Sequence, residues 1–497
     1  MAVLLSIVGG FALALSFPRH NLWPLAWIAL APLFVVYRTA PMKRSILATL
    51  VFGFTFFASL LYWVAIFGYA PCVLLALCET VFILFFGLIA VVISRGTNYW
   101  VRLITLPAVW VAVEWGRSYG AYGVAWGSVS QSQTAFLPLA QMASVTGPWG
   151  LSFLVVAFNV AVAELYFRHR EKQPMRPALM QAGCVLLVVG MISCWGVAQM
   201  RGSRTPERTV KVAIIQGNID QDFPPTESWA AHTDKTMRAY SIATINVLGD
   251  KPDLVIWPET AAPGYITTDA GIRGPVQALA AGGHTNMLVG SCQMAPLLQG
   301  KAREYNGAFL FDRAGTLKDQ YYKVHLVPFG EFVPGRDTLP FLNRYKVRAI
   351  DVAPGPGFRP VETDFGKVGV MICFESVFTE IARALTHRGA DVLVVMTNDA
   401  WFGRTAAAEQ HHAMSILRAI ENRRYVARCA ATGISAVIDP WGRVEESAGI
   451  WQEKTIIRSI APMSITTPYT RWGDWFVWAC MILAGVGVAV GLRRGRP

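Results

Sequence analysis

The chain has 497 residues, 54% of them apolar and only 15% charged, with a formal net charge of +12. A soluble globular domain carries about 25% charged residues, so an ordinary soluble protein is excluded. The positive balance lies in the apolar part of the chain, with 14 basic and 4 acidic residues there against 30 and 28 elsewhere, which leaves a nucleic-acid partner without support.

Apolar runs occupy residues near 2–16, 22–37, 46–67, 72–94, 99–116, 149–167, 178–199 and 475–492. Several approach the roughly 20 residues that a bilayer core requires. The pattern predicts a polytopic α-helical membrane domain over 1–200, with seven helices, one large insert and a closing helix at 475–492, about eight transmembrane helices in all. No basic residue precedes the first run, so Met1–Ser16 reads as a span and not as a signal peptide. Pro24 and Pro32 interrupt the second run. A re-entrant hairpin of the first two segments would leave the parity of the later spans unchanged. With a cytoplasmic N-terminus, the cytoplasmic loops hold twelve basic residues and the opposite loops only Arg19 and Arg117. The positive-inside rule then places the insert outside the cytoplasm. Glu79, Glu114 and Glu164 lie within or near spans, where an ionisable group is costly. Glu114 and Arg117 are expected to pair and brace the insert.

The insert, read as a catalytic domain over 208–462, has no run of membrane length. Strand patterns appear at 208–219, 252–260, 286–294, 306–315, 367–375, 391–399 and 433–442, with helical patterns at 229–247, 376–388 and 407–424. Continuous apolar runs such as LVIW and VLVVM suggest a sheet covered on both faces, hence a layered α/β domain. The stretch 334–360 is a long Pro- and Gly-flanked loop, functional or mobile by its length. Within 335–352, Leu339, Phe341, Leu342 and Tyr345 alternate with Arg336, Arg344, Lys346 and Arg348. That mixture suits a membrane interface, and packing of the apolar members on the domain would explain it equally well. Three of the eight cysteines, Cys292, Cys373 and Cys429, fall in the insert, and an odd number leaves at least one thiol unpaired.

Three expected strand ends present reactive side chains: Glu259 after LVIWP, Lys323 in DQYYKVHLVPFGE, and Cys373 at the end of GVMIC. Each has a plain structural reading, as a turn residue, a solvated lysine and a packed thiol. Together they form a minimal set for acyl transfer through a thioester: a carboxylate to take the thiol proton, a thiolate, and an ammonium for the oxyanion.

The blocks WPE (257–259), YYKVHLVPFGEFVP (321–334), CFES (373–376) and NDAWFG (398–403) resemble the nitrilase superfamily. With membrane helices on either side, nearly the whole chain is similar to the bacterial apolipoprotein N-acyltransferase family, including WVAVEWGRS (110–118) and GPWGLSF (147–153). The resemblance implies an αββα sandwich for the insert. It implies transfer of a fatty acyl chain from a phospholipid donor to the N-terminal amine of a diacylglyceryl lipoprotein acceptor, at the periplasmic side of the cell inner membrane. The family pattern assigns base, oxyanion lysine and nucleophile to Glu259, Lys323 and Cys373, and further essential carboxylates to Glu331 and Glu375. Many members carry tyrosine after the nucleophile, where this chain has Phe374. No cofactor or metal is implied, since ester aminolysis needs no ATP. The runners-up are a membrane-tethered nitrilase-type amidase and a lipid-binding or transport protein. Transporters carry paired mid-bilayer charges and repeated helix halves, and neither is visible.

Trp229 is read as a substrate-facing wall or a helix anchor, and Phe341, Leu342 and Tyr345 as substrate-binding. His325 is expected to hold the Lys323 loop by a hydrogen bond. His411 and His412 lack H-E-x-x-H spacing and are expected to cap or orient a helix.

Overall fold

Apolar helices without charge have nowhere to go but a lipid phase or one another, and the chain separates accordingly. The computed structural model describes residues 1–202, 208–219, 228–296, 302–336, 338 and 350–494. They fall into two compact units. One comprises Met1–Ser203, Thr405–Leu417 and Arg471–Pro497, the other Arg204–Arg404 and Arg418–Thr470.

The first unit is helical. Ala2–Leu15, Met42–Leu60, Tyr69–Gly96, Tyr99–Ser118, Trp149–Arg170, Arg176–Arg201 and Trp475–Arg494 occupy the expected segments. Among the described residues five helices are long and apolar enough to cross a membrane: Met42–Leu60, Tyr69–Gly96, Trp149–Arg170, Arg176–Arg201 and Trp475–Arg493. This is a membrane protein. The second apolar run breaks at Leu30 into Ala26–Ala29 and Ala31–Thr39, the latter with Pro32 in its first turn. A broken helix at membrane depth must satisfy its freed backbone groups inside the protein. Asn159 does so: its Oδ1 accepts from the Leu30 and Ala31 N–H groups at 2.8 and 3.0 Å, and its Nδ2 donates to the Ala26 carbonyl at 2.8 Å.

The expected pairing of Glu114 with Arg117 is corrected. Arg117 Nη1 donates to Glu79 Oε2 at 2.8 Å and to the carbonyls of Val124 and Trp126, while Glu114 Oε1 accepts from the Val129 N–H at 2.7 Å. Glu114 lies one helical turn from Arg117, a spacing that permits a pair, but Glu79 and two loop carbonyls already surround the guanidinium. His411 lies inside the helix Ala407–Asn422, its ring 5.8 Å from that of Trp126, so it packs and does not cap.

The second unit holds β1 (Val210–Gln216), β2 (Leu254–Ile256), β3 (Ala262–Tyr265), β4 (Asn286–Met294), β5 (Arg303–Phe311), β6 (Leu317–Tyr322) and β7 (Asp351–Val352). It continues with β8 (Val361–Glu362), β9 (Lys367–Ile372), β10 (Val392–Thr397), β11 (Val426–Ala430), β12 (Ala436–Ile438), β13 (Val444–Ser447) and β14 (Lys454–Ile460). One sheet runs β14-β1-β2-β4-β5-β6, with β3 on β4 and β7 on β5; the other runs β13-β12-β11-β10-β9-β8. Alternate residues of both sheets, among them Ile214, Ile256, Leu310, Val370, Val394 and Cys429, meet in one buried core between them. The outer face of the first sheet buries Val255, Trp257, Val289 and Phe309 under the helices Trp229–Leu248 and Ala270–Gly283. On the second, Gly369 lies close against Leu385 of the helix Thr379–His387. Apolar residues on both strand faces thus follow from an αββα sandwich.

Two expectations shift. Ala270–Gly283 is a helix that its four glycines and Pro275 disguise; Ile272, Val276, Leu279 and Ala280 still mark one buried face at helical spacing. The strand expected over 367–375 stops at Ile372, and Cys373–Val377 forms a tight helical turn.

Candidate active site

The chemistry-bearing residues follow strand ends in both sheets. Trp257, Pro258 and Glu259 leave β2, Lys323 follows β6, Cys373 follows β9 and Asn398 follows β10. Strands β9 and β10 are parallel with Ile372 opposite Met396, so Cys373 and Thr397 emerge side by side. Gly290 on β4 lets the Pro258–Glu259 backbone pass close, since a methyl there would collide with the Pro258 carbonyl.

Glu259 and Lys323 are buried, at 7% and 1% exposure. The Lys323 ammonium donates to Glu331 Oε1 at 2.9 Å and lies 3.6 Å from Glu259 Oε1. Burial alone would lower its proton affinity, but the carboxylates of Glu331 and Glu259, with Cys373 adding to them, hold it well above the ordinary lysine range. It stays an ammonium. Glu259 Oε1 accepts from Asn306 Nδ2 and Oε2 from the Asn398 N–H, both at 2.8 Å. Glu331 Oε2 accepts from the Val327 N–H at 2.8 Å, which folds the following loop back onto the lysine.

Cys373 is half-buried with φ +52°, in the left-handed region that costs a non-glycine residue about 1–2 kcal/mol. The turn holds that conformation: Ser376 Oγ donates to the Cys373 carbonyl at 2.9 Å. Burial first, then the Glu259 carboxylate, push its thiol up against the opposing pull of Lys323.

Glu375 is fully buried and ties two loops together. Its Oε1 accepts from Tyr321 Oη at 2.9 Å and from the Val324 and His325 N–H groups at 2.7 and 3.1 Å, while Oε2 accepts from the Ile372 N–H at 2.8 Å. One carboxylate thus holds the Tyr321 side chain, the backbone just after Lys323 and the backbone just before Cys373. Burial pushes it up to about 7 despite the backbone donors. The expectation for His325 is corrected. The residue holds the loop through its backbone N–H; its buried Nε2 makes no hydrogen bond among the described residues, because the ring lies 3.9 Å from the Phe378 ring, in an aromatic pocket. Phe374 is half-buried, edge-on to Phe378 at 5.0 Å.

A cavity of about 1350 Å³ opens onto Glu259, lined by Trp229, Met237, Ile242, Cys292, Glu304 and Trp401 among others. Trp229 stands at the start of its helix with 57% of its surface exposed. Phe341, Leu342 and Tyr345 lie outside the described residues. Cys429 is core: its Sγ contacts the carbonyls of Ile215 and Ile256 at 3.5 and 3.3 Å. No group of three or more His, Cys, Asp or Glu side chains suited to a metal ion occurs among the described residues.

The profile of the Carbon-nitrogen hydrolase family matches residues 211–468, and that of the Apolipoprotein N-acyltransferase N-terminal domain matches residues 9–161. The apolipoprotein N-acyltransferase of Geobacter metallireducens is 34% identical over 505 residues, covering 99% of this chain and 95% of its own length. This chain belongs to the apolipoprotein N-acyltransferase family. The family's members from Chlorobaculum tepidum and Azotobacter vinelandii are 29% and 30% identical, covering 99% and 95% of this chain and 97% and 92% of theirs. Nit3 of Saccharomyces cerevisiae, of branch 10 of the nitrilase superfamily, aligns at 21% identity and TM-score 0.40, covering 52% of this chain and 93% of its own; at that score it adds nothing to the topology. As a family member the chain is an acyltransferase with a carbon-nitrogen hydrolase domain.

Sequence reasoning missed Asn306, Asn398 and the ion pair of Asp399 with Arg428, 2.7 Å long and fully buried at both ends. NDAWFG offered a signal for two of them: an Asn-Asp pair directly after the apolar run VLVVMT. Nothing in REYNGAFLF distinguishes Asn306 from a polar strand residue.

Proposed function

We propose that this acyltransferase moves a fatty acyl chain from a membrane phospholipid to the N-terminal amine of an S-diacylglyceryl-cysteine lipoprotein, by a ping-pong thioester mechanism. The observation that carries the mechanism is the buried Lys323 ammonium, 2.9 Å from Glu331 and 3.6 Å from Glu259, with Cys373 at a strained strand end. Cys373 Sγ attacks the ester carbonyl as Glu259 takes the thiol proton. The Lys323 ammonium and the Phe374 N–H hold the oxyanion. Collapse expels the lysophospholipid oxygen, which takes the proton from Glu259. The incoming amine then attacks the thioester and gives a proton to Glu259, and the released Cys373 thiolate recovers it, leaving an amide. Glu331 holds the lysine, and Glu375 holds the loops of lysine and thiol.

The cavity of about 1350 Å³ reaches Glu259 while its lining includes neither Lys323 nor Cys373, so it is read as an approach for the lipid and not as the reaction chamber. Trp229 serves as its wall. In this reading residues 1–200 and 475–492 cross the cell inner membrane eight times, 208–462 form the periplasmic catalytic domain, and nucleic acid has no part. The test is intact mass after incubation with phospholipid alone. One acyl mass should appear, be released by hydroxylamine, and vanish in Cys373→Ala. Acylation that survives in Cys373→Ala but is lost in Cys292→Ala or Cys429→Ala overturns the assignment.

A further inference from the structure

Two carboxylates share one ammonium at this site, and something must decide which of them keeps it. Asn306 touches both. It sits on β5 at 1% exposure, and its Nδ2 donates to Glu259 Oε1 at 2.8 Å and to Glu331 Oε1 at 3.3 Å. Carboxylates only accept, so chemistry fixes which end of the amide faces them. Its backbone carbonyl also accepts from the Lys323 N–H at 2.9 Å, so one residue contacts base, second carboxylate and lysine. The amide oxygen is buried without a hydrogen bond among the described residues. An asparagine kept only for packing has no reason to carry that cost.

We propose that Asn306 is a positioning residue that separates the roles of the two carboxylates, giving one N–H to each so that Glu331 keeps the ammonium and Glu259 keeps the thiol. The inference rests on the reading of Glu259 as base. Without the amide, both carboxylates lose a donor that favours their charged form, and the lysine is free to close its 3.6 Å gap to Glu259. Each carboxylate's charged form is then less favoured than in the parent. An aspartate at 306 adds a third carboxylate and moves the balance further in the same direction.

The experiment follows acyl-enzyme formation by intact mass, using the full chain in detergent with a mixed bacterial phospholipid extract, from pH 5 to 9. Asn306→Ser keeps one hydroxyl donor, and Asn306→Asp keeps none when ionised. Both should move the acid side of the rate profile to higher pH, the aspartate further. A displacement of one pH unit reads as a loss of about tenfold on the acid side, recovered above pH 8. Equal loss at every pH with an unmoved profile makes Asn306 a packing residue and overturns the proposal. Failure of both variants to fold does the same, since it assigns the residue to structure. A parent that forms no acyl adduct overturns the proposed thioester mechanism instead, so the two failures are distinguishable.

Discussion

Replacing Glu259 by glutamine is the sharpest test of the base, and the structure shows that it is not a silent swap. Both carboxylate oxygens accept from N–H donors at 2.8 Å, Asn306 Nδ2 on one side and the Asn398 backbone on the other. A glutamine has one acceptor and one donor end, so one of these contacts becomes N–H against N–H in either orientation. Asn306 cannot turn its oxygen to relieve the clash, because its Nδ2 also serves Glu331. Leaving a buried donor unmet costs about 1–3 kcal/mol. At about 2–4 °C per kcal/mol for a domain of this size, the melting temperature should fall by roughly 2–12 °C. Loss of proton acceptance should slow acylation by about 10²–10⁴-fold, equivalent to about 3–5 kcal/mol of barrier. The assay pairs a single-turnover acylation course with a melting curve of the same preparation, below the variant's transition. Parent-like acylation by folded Glu259→Gln refutes the base assignment. A rate lost only in proportion to unfolded protein reduces Glu259 to a turn residue.

Arg428→Leu removes the cation from the buried Asp399 carboxylate and should cost about 3–5 kcal/mol, with much of it recovered in Arg428→Leu/Asp399→Asn; an unchanged melting temperature in the single variant contradicts this. Burial and the nearby Lys323 hold His325 at about 4, below the ordinary 6.5, so its contribution to stability is complete above pH 6.5 and lost as pH falls through 4. His325→Phe keeps the ring packing and cannot protonate, so the parent's melting temperature should fall relative to the variant's between pH 6.5 and 4; parallel curves refute the assignment. Single cysteines at Gln173 and Lys251, in a background without the exposed Cys78, Cys184 and Cys194, should label from opposite faces of sealed vesicles. Labelling of both from one face overturns the topology.

The helical segments, the insert and seven of the fourteen described strands were legible because each rests on local pattern: apolar runs of membrane length, or β-branched runs closed by turn residues. Lys323 and Glu331 stand eight residues apart, and the sequence placed both in one block, yet their 2.9 Å contact depends on the Val327 N–H bond that folds the loop back. Long-range partners were not legible. Asn306 reaches Glu259 across 47 residues and Asn398 reaches it across 139, and no local periodicity encodes such distances. Arg117 shows the opposite error. Helical spacing suggested Glu114, and the chain supplied Glu79 from another helix. The stop of β9 at Ile372 has the same origin. The Ile372 N–H is claimed by Glu375, three residues on, so the backbone turns at Cys373 where sequence alone suggested two more strand residues.

On the proposed mechanism, that turn bears on how a reactive cysteine is kept inert at rest. A thiolate at rest would invite oxidation, and Lys323 beside it would promote one. The site offsets the lysine twice. Burial first, then the Glu259 carboxylate, push the Cys373 thiol upward, and Glu331 draws the ammonium to 2.9 Å from its own oxygen. In the proposed mechanism the resting nucleophile is therefore a thiol, and the carboxylate that takes its proton is already held in place by two N–H groups. In that mechanism proton transfer to Glu259 neutralises a carboxylate whose charge opposes the thiolate, while burial continues to oppose it. The lysine's attraction then acts unopposed by Glu259, first on sulfur and then on the oxyanion as charge moves to the carbonyl oxygen. Reactivity is coupled to the presence of an ester to attack, and the groups that couple it are the same ones that keep the thiol inert without it.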